Sequence, residues 1–136
     1  MVTPMPPQPQ APGAIPLVLH AELQGLLARH QVDLATVAGS EPGEREAVDR
    51  LRRSGLQIYA AERHPERGWQ AWGRRWRMGS AWLSHQVPWR TIWFWEPGLQ
   101  RILDRILVEE KYDLVIAEDN SMGIYAYRTG APVFLT

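Results

Sequence analysis

Hydrophobic positions along this chain fall into helical stripes that alternate with short apolar runs. Leu19, Leu23, Leu26 and Leu27 stand at helical spacing and predict a helix over Leu17–His30, with Pro16 acceptable in its first turn. Gln31–Ala38 is largely apolar, contains β-branched residues and ends at Gly39-Ser40, so it reads as a buried strand. Ala47, Val48 and Leu51 share one face of a helix over Glu44–Ser54, and Gly55 supplies its stop. Leu56–Ala61 is the next strand. Leu99, Ile102, Leu103, Ile106 and Leu107 then mark an amphipathic helix over Leu99–Glu110. Tyr112–Ala117 is the clearest strand, a short helix is predicted over Met122–Arg128, and Pro132–Leu135 reads as a final strand.

The opening of the chain fits this alternation. Met1–Thr3 reads as the tail of a strand, and Pro4–Pro16 holds six prolines and Gly13, which favours an extended loop over helix or ladder. Strand and helix therefore alternate throughout, and the strands are apolar without a clean period of two. This pattern predicts an α/β fold over residues 1–136: a doubly wound, Rossmann-like parallel sheet with helices on both faces. The short first strand and the abrupt finish after the last one suggest a fragment of a longer protein.

Composition narrows the function classes. With 136 residues and 45% hydrophobic content, the chain has the material for one core. Lys plus Arg and Asp plus Glu are equal at 15 each, which gives no electrostatic case for nucleic acid. The absence of cysteine excludes a disulfide scaffold and thiolate chemistry, and fits a cytoplasmic setting. No GxGxxG and no GxxxxGK[ST] occurs, so a stand-alone nucleotide-binding domain is poorly supported. No pair of histidines has ligand spacing, and no metal site is expected.

In an open parallel sheet, ligands bind beyond the carboxyl ends of the strands, near the change in strand order. The loop after the first strand, the loop after Ala38, and Glu118-Asp119-Asn120-Ser121 are expected to meet there. Glu118 and Asp119 are the candidate catalytic carboxylates, able to orient an acceptor hydroxyl or take its proton. Gly13, His20, Asn120 and Ser121 are the candidate substrate-binding residues. A plainer role for Asp119, Asn120 or Ser121 is to cap the helix that follows.

Between Arg63 and Trp95 the composition changes. All seven tryptophans lie there, with Arg63, Arg67, Arg74, Arg75, Arg77 and Arg90 set against the single acid Glu66. Trp69, Trp72 and Trp76 share one face of a helix. Such a face packs in a core, lies on a membrane surface, or stacks on a sugar or lipid acceptor.

The segments Val2–Gly39 (VTPMPPQPQAPGAIPLVLHAELQGLLARHQVDLATVAG) and Tyr112–Thr136 (YDLVIAEDNSMGIYAYRTGAPVFLT) resemble the N-terminal domain of retaining glycosyltransferases of the GT-B fold, family 4. The likeness rests on a strand ending in VTP with following prolines, a helix of the form L..L...H.V.L, a YDLV strand and a terminal AP.V.T-like strand. It covers both ends of the chain and only weakly the middle. This resemblance implies transfer of a sugar from a nucleotide donor to a saccharide or lipid-linked acceptor, with no obligatory metal or other cofactor. It assigns the acceptor side to this domain and the nucleotide-sugar donor to a C-terminal domain that the sequence does not contain. Two positions depart from the family pattern. Gly13-Ala14 stands where many members have paired glycines, and Glu118 stands where many have a histidine.

An acceptor-side fragment should be inactive alone and should self-associate through surface that its partner domain would cover. The alternative is a non-enzymatic α/β module that uses the Trp/Arg-rich surface for protein association or for peripheral contact with the inner face of the membrane.

Overall fold

The computed structural model describes residues 1–11, 13–39, 42–63 and 94–136. Within them the chain forms β1 (Val2–Thr3), α1 (Ala14–Leu27), β2 (Asp33–Ala38), α2 (Pro42–Arg53) and β3 (Gln57–Glu62). It continues through α3 (Pro97–Glu109), β4 (Val115–Ala117), a 3-10 turn (Asn120–Ile124) and β5 (Val133–Leu135). The five strands make one all-parallel sheet in the order β3-β2-β1-β4-β5. The fold is α/β and compatible with a Rossmann-like architecture. The strand order reverses at β1, which has β2 on one side and β4 on the other.

Alternation along β2 sorts the core into two clusters, because successive strand side chains point to opposite faces. Ala35 and Val37 join Val115 and Ala117 against Leu99, Leu103, Ile106 and Leu107 of α3. Leu34 and Ala38 pack in the second cluster with Leu23 of α1 and Val48 of α2. The apolar stripe of α3 that the sequence displays is thus its buried face.

Helix ends follow local chemistry. The end of α2 is a Schellman motif: Leu56 N donates to Leu51 O at 3.3 Å and Gly55 N to Arg52 O at 3.0 Å, with Gly55 at φ 90°. Arg50, Arg52 and Arg53 occupy its last turn, where cations complement the helix dipole. At the other end, Glu44 reaches back to accept from Gly39 N. The first helix begins at Ala14 rather than Leu17. Pro16 falls within its first turn, where a missing N–H leaves no intrahelical bond unmade. Gly13 caps it at φ 132°, in the region that favours glycine.

One element differs in kind. The short helix predicted over Met122–Arg128 is instead the 3-10 turn Asn120–Ile124, and residues 126–129 have no regular structure. Asp119 starts the turn early by accepting from Ser121 N, and extended backbone at Tyr125 stops it. Trp69, Trp72 and Trp76, with His64 and His85, lie outside the described residues. Trp95 packs, partly buried, against the α3 cluster. Among the described residues no helix is long and apolar enough to cross a membrane.

Candidate functional site

The reversal of strand order puts the loop after β1 beside the loop after β4, because Val2 pairs with Ala117. Thr3, Pro4, Pro6 and Pro7 are all buried, so the first turns of the proline-rich loop belong to the scaffold. Two polar anchors hold them. Thr3 Oγ1 donates to Met5 O at 2.9 Å, and Arg63 Nη2 donates to Pro4 O at 3.0 Å. Further along, Gln8 N donates to Pro16 O at 3.0 Å and folds the loop back on the start of α1.

Arg63 immediately follows β3, and its own N–H donates to Ala38 O at 2.8 Å. It therefore spans from the end of β3, past β2, to the loop of β1. Sequence reasoning counted Arg63 only among the arginines of the tryptophan-rich stretch. Its position directly after a strand was the available signal for a role at this edge.

Glu118 sits at the end of β4 with 6% of its surface exposed. Its N–H donates to Val2 O at 2.9 Å, which fixes the backbone at the β1–β4 junction. Thr136 Oγ1 donates to its Oε2 at 2.6 Å, a short charge-assisted bond. From α1, Glu22 stands near Glu118. Burial, then the neighbouring Glu118 carboxyl, push the Glu22 carboxyl above the ordinary glutamate range. Glu22 was also missed from the sequence. It lies three residues after Leu19 and four before Leu26, so a carboxylate flanking the buried stripe was the signal.

The remaining predicted residues fall into separate roles. Asp119 has φ 80° and spends Oδ1 on Ser121 N at 2.8 Å, which is the capping role. Ser121 is 5% exposed, and its Oγ is buried without a hydrogen-bond partner among the described residues. Asn120 is exposed beside it. His20 lies partly buried on α1, with Nδ1 buried and unpartnered among the described residues. Gly13 caps the same helix. The structure joins Glu118 to Thr136, with Glu22 nearby, whereas no hydrogen bond among the described residues links it to Gly13, His20 or Asn120.

A hydrogen-bonding relay supports the far side of this edge. Tyr125 Oη accepts from Glu96 N at 2.7 Å and donates to Phe94 O at 2.8 Å. Burial pushes the phenol of Tyr125 well above its ordinary value, and that of Tyr127 likewise. A shallow cleft lined by Met1, Asp33, Leu103, Tyr112 and Leu114 opens at the opposite, amino-terminal ends of the strands, away from these carboxyls. The described residues include no group of three or more His, Asp or Glu that could hold a metal ion.

The chemistry available at the β1–β4 junction is that of a carboxyl pair. Glu118 has one oxygen fixed by a hydroxyl donor and a second carboxyl nearby. Such a group accepts hydrogen bonds strongly. No protein-family model matches the chain, and no curated protein or solved structure matches it.

Proposed function

We propose that this chain is the acceptor-side part of a glycosyltransferase, resembling the N-terminal half of the family-4 enzymes of the GT-B fold. The observation that carries the reading is the strand order, which reverses between β1 and β4 and brings the proline-rich loop and Glu118 to the same edge. Ligands of open parallel sheets bind at this kind of junction. In this reading Glu118 accepts a hydrogen bond from the acceptor hydroxyl, Asn120 and Ser121 line the acceptor, and Asp119 holds their turn. Gly13 and His20 supply the α1 side. A nucleotide-sugar donor is the concern of a second domain.

Titration of the isotope-labelled chain with short oligosaccharides, followed by amide chemical shifts, tests the assignment. Saccharides should shift Gly13, His20, Asn120 and Ser121, while nucleotide sugars at equal concentration leave them in place. Shifts from nucleotide sugars alone, or none from any saccharide, would sink it.

A second reading, an association module, draws on α1. Ile15, Leu17 and Val18 of that helix are 47%, 50% and 51% exposed, an apolar surface suited to a partner or a lipid interface. Flotation with anionic vesicles that is lost when Trp69, Trp72 and Trp76 become alanine would favour it.

A further inference from the structure

We propose that Arg63 seats an oxyanion at the carboxyl edge of the sheet, so that an acceptor bound there carries a phosphate or a carboxylate; the second half rests on the acceptor-side reading. Arg63 follows β3 directly, and two bonds fix it. Its N–H donates to Ala38 O at 2.8 Å, at the end of β2, and its Nη2 donates to Pro4 O at 3.0 Å, in the loop of β1. The residue therefore spans the carboxyl ends of the strands to the loop beside the point where strand order reverses. Pro4 comes two residues after Val2, whose carbonyl accepts from Glu118 N.

These bonds exhaust neither the charge of Arg63 nor its donors. A guanidinium is always charged and carries several N–H donors in a rigid fork, of which Pro4 O engages only Nη2. Nε is buried and has no hydrogen-bond partner among the described residues. No carboxylate of the described residues forms an ion pair with Arg63; Glu62, the residue before it, lies 3.7 Å from Arg45 of α2 instead. A neutral carbonyl is a weak partner for a cation, and a buried donor without an acceptor is costly. A phosphate or carboxylate matches the fork in both shape and charge. Ser121 repeats the signature on the β4 side, at 5% exposure and with its Oγ buried and unpartnered among the described residues.

Opposite charges are set apart along this edge. Arg63 enters from the side of β2 and β3, whereas Glu118 stands at the end of β4. Strand β1 lies between them in the sheet. An acceptor lying across β1 is thereby oriented, with its oxyanion toward Arg63 and a hydroxyl toward Glu118. The reverse orientation would set one anion against another.

The test is a ligand titration of the isotope-labelled full chain, followed through the Arg63 Nε–Hε signal and the backbone amides. The probes are glucose 1-phosphate, glucuronate, uncharged methyl glucoside and inorganic phosphate, applied to the wild type, Arg63→Lys and Arg63→Gln. A charged sugar should move the Arg63 signal and bind at least about tenfold more tightly than methyl glucoside. The tighter of the two charged sugars names the oxyanion. The advantage should shrink in Arg63→Lys, which keeps the charge without the fork, vanish in Arg63→Gln, and weaken with added salt. Equal affinity for charged and neutral sugars overturns the proposal, and so does an advantage that survives Arg63→Gln. If methyl glucoside then still shifts Gly13, Asn120 and Ser121, the acceptor reading stands without the oxyanion. Inorganic phosphate binding at Arg63, with no contribution from any sugar, keeps the oxyanion seat and removes the acceptor reading. If the variants do not fold, the wild-type signal decides, and no movement with either charged sugar overturns the proposal.

Discussion

The hydroxyls of Thr3 and Thr36 lie 2.9 Å apart in the centre of the sheet, and both residues are fully buried. A hydroxyl has one proton, and Thr3 gives its own to the carbonyl of Met5 at 2.9 Å. Thr36 must therefore donate to Thr3, and a chain of two hydrogen bonds ties β2 to the first turn of the proline-rich loop. Thr3→Val strands both a buried hydroxyl and a carbonyl, at a cost of about 1–3 kcal/mol. Thr36→Val removes one donor and should cost less, about 0.5–1.5 kcal/mol. Urea unfolding of the two variants checks the order; a larger loss for Thr36→Val would contradict the direction of the chain.

Tyr125 uses one oxygen to satisfy two backbone groups, Glu96 N and Phe94 O. Tyr125→Phe keeps the ring in the α3 cluster and deletes only these bonds. The expected loss is about 1–3 kcal/mol, with little change in the cooperativity of unfolding. A variant as stable as the wild type would mean that the relay contributes nothing.

Two glycines flank the same helix problem with opposite signs. Gly13 has φ 132°, so Gly13→Ala forces a strained backbone and should destabilise by about 1–3 kcal/mol. Gly25 lies inside α1 with open space where a Cβ would stand. Gly25→Ala should stabilise by roughly 0.5–1 kcal/mol through helix propensity. Thermal unfolding of both variants reads the difference, and equal midpoints would refute the assignment of Gly13 as the cap.

Three of the four tyrosines should resist alkaline ionisation. Burial, and for Tyr112 also a 2.8 Å hydrogen bond to Asp33, push the phenols of Tyr112, Tyr125 and Tyr127 up from 10.0. Each group's folded value lies above its unfolded one. Its contribution to stability is therefore whole below pH 10 and is lost as pH rises through the folded value. Absorbance at the phenolate band should show these three ionising with unfolding rather than before it. Early, reversible ionisation of all four in the folded protein would contradict their burial.

Strand β5 is the exposed edge of the sheet: Val133, Phe134 and Leu135 are 42%, 60% and 45% exposed. An apolar edge without a charge is open to further pairing. Sedimentation should show concentration-dependent association, weakened by Phe134→Lys. A monomer at all concentrations would count against a sticky edge.

Much of this arrangement was legible before any coordinates. Leu19 and Leu23, the run Leu34–Ala38, and the Leu99–Leu107 stripe announce their elements because periodic burial leaves a periodic sequence. Gly55 announced the end of α2 because few residues tolerate φ 90°. The turn after β4 departs from the predicted helix because extended backbone at Tyr125 ends it at Ile124, which apolar spacing does not reveal. Glu22 and Arg63 were passed over for a different reason. Each acts through a partner far away in sequence, Glu22 on Glu118 and Arg63 on Pro4.

What the sequence by itself determined is the alternation of strands and helices, the buried face of α3, and the presence of carboxylates after β4. Those properties are set by neighbours within a few residues along the chain. The tertiary structure alone decided the order β3-β2-β1-β4-β5, the meeting of Glu22, Glu118 and Thr136, and the anchoring of the proline-rich loop by Arg63. These depend on which strand lies beside which, and that follows from packing the whole apolar surface at once.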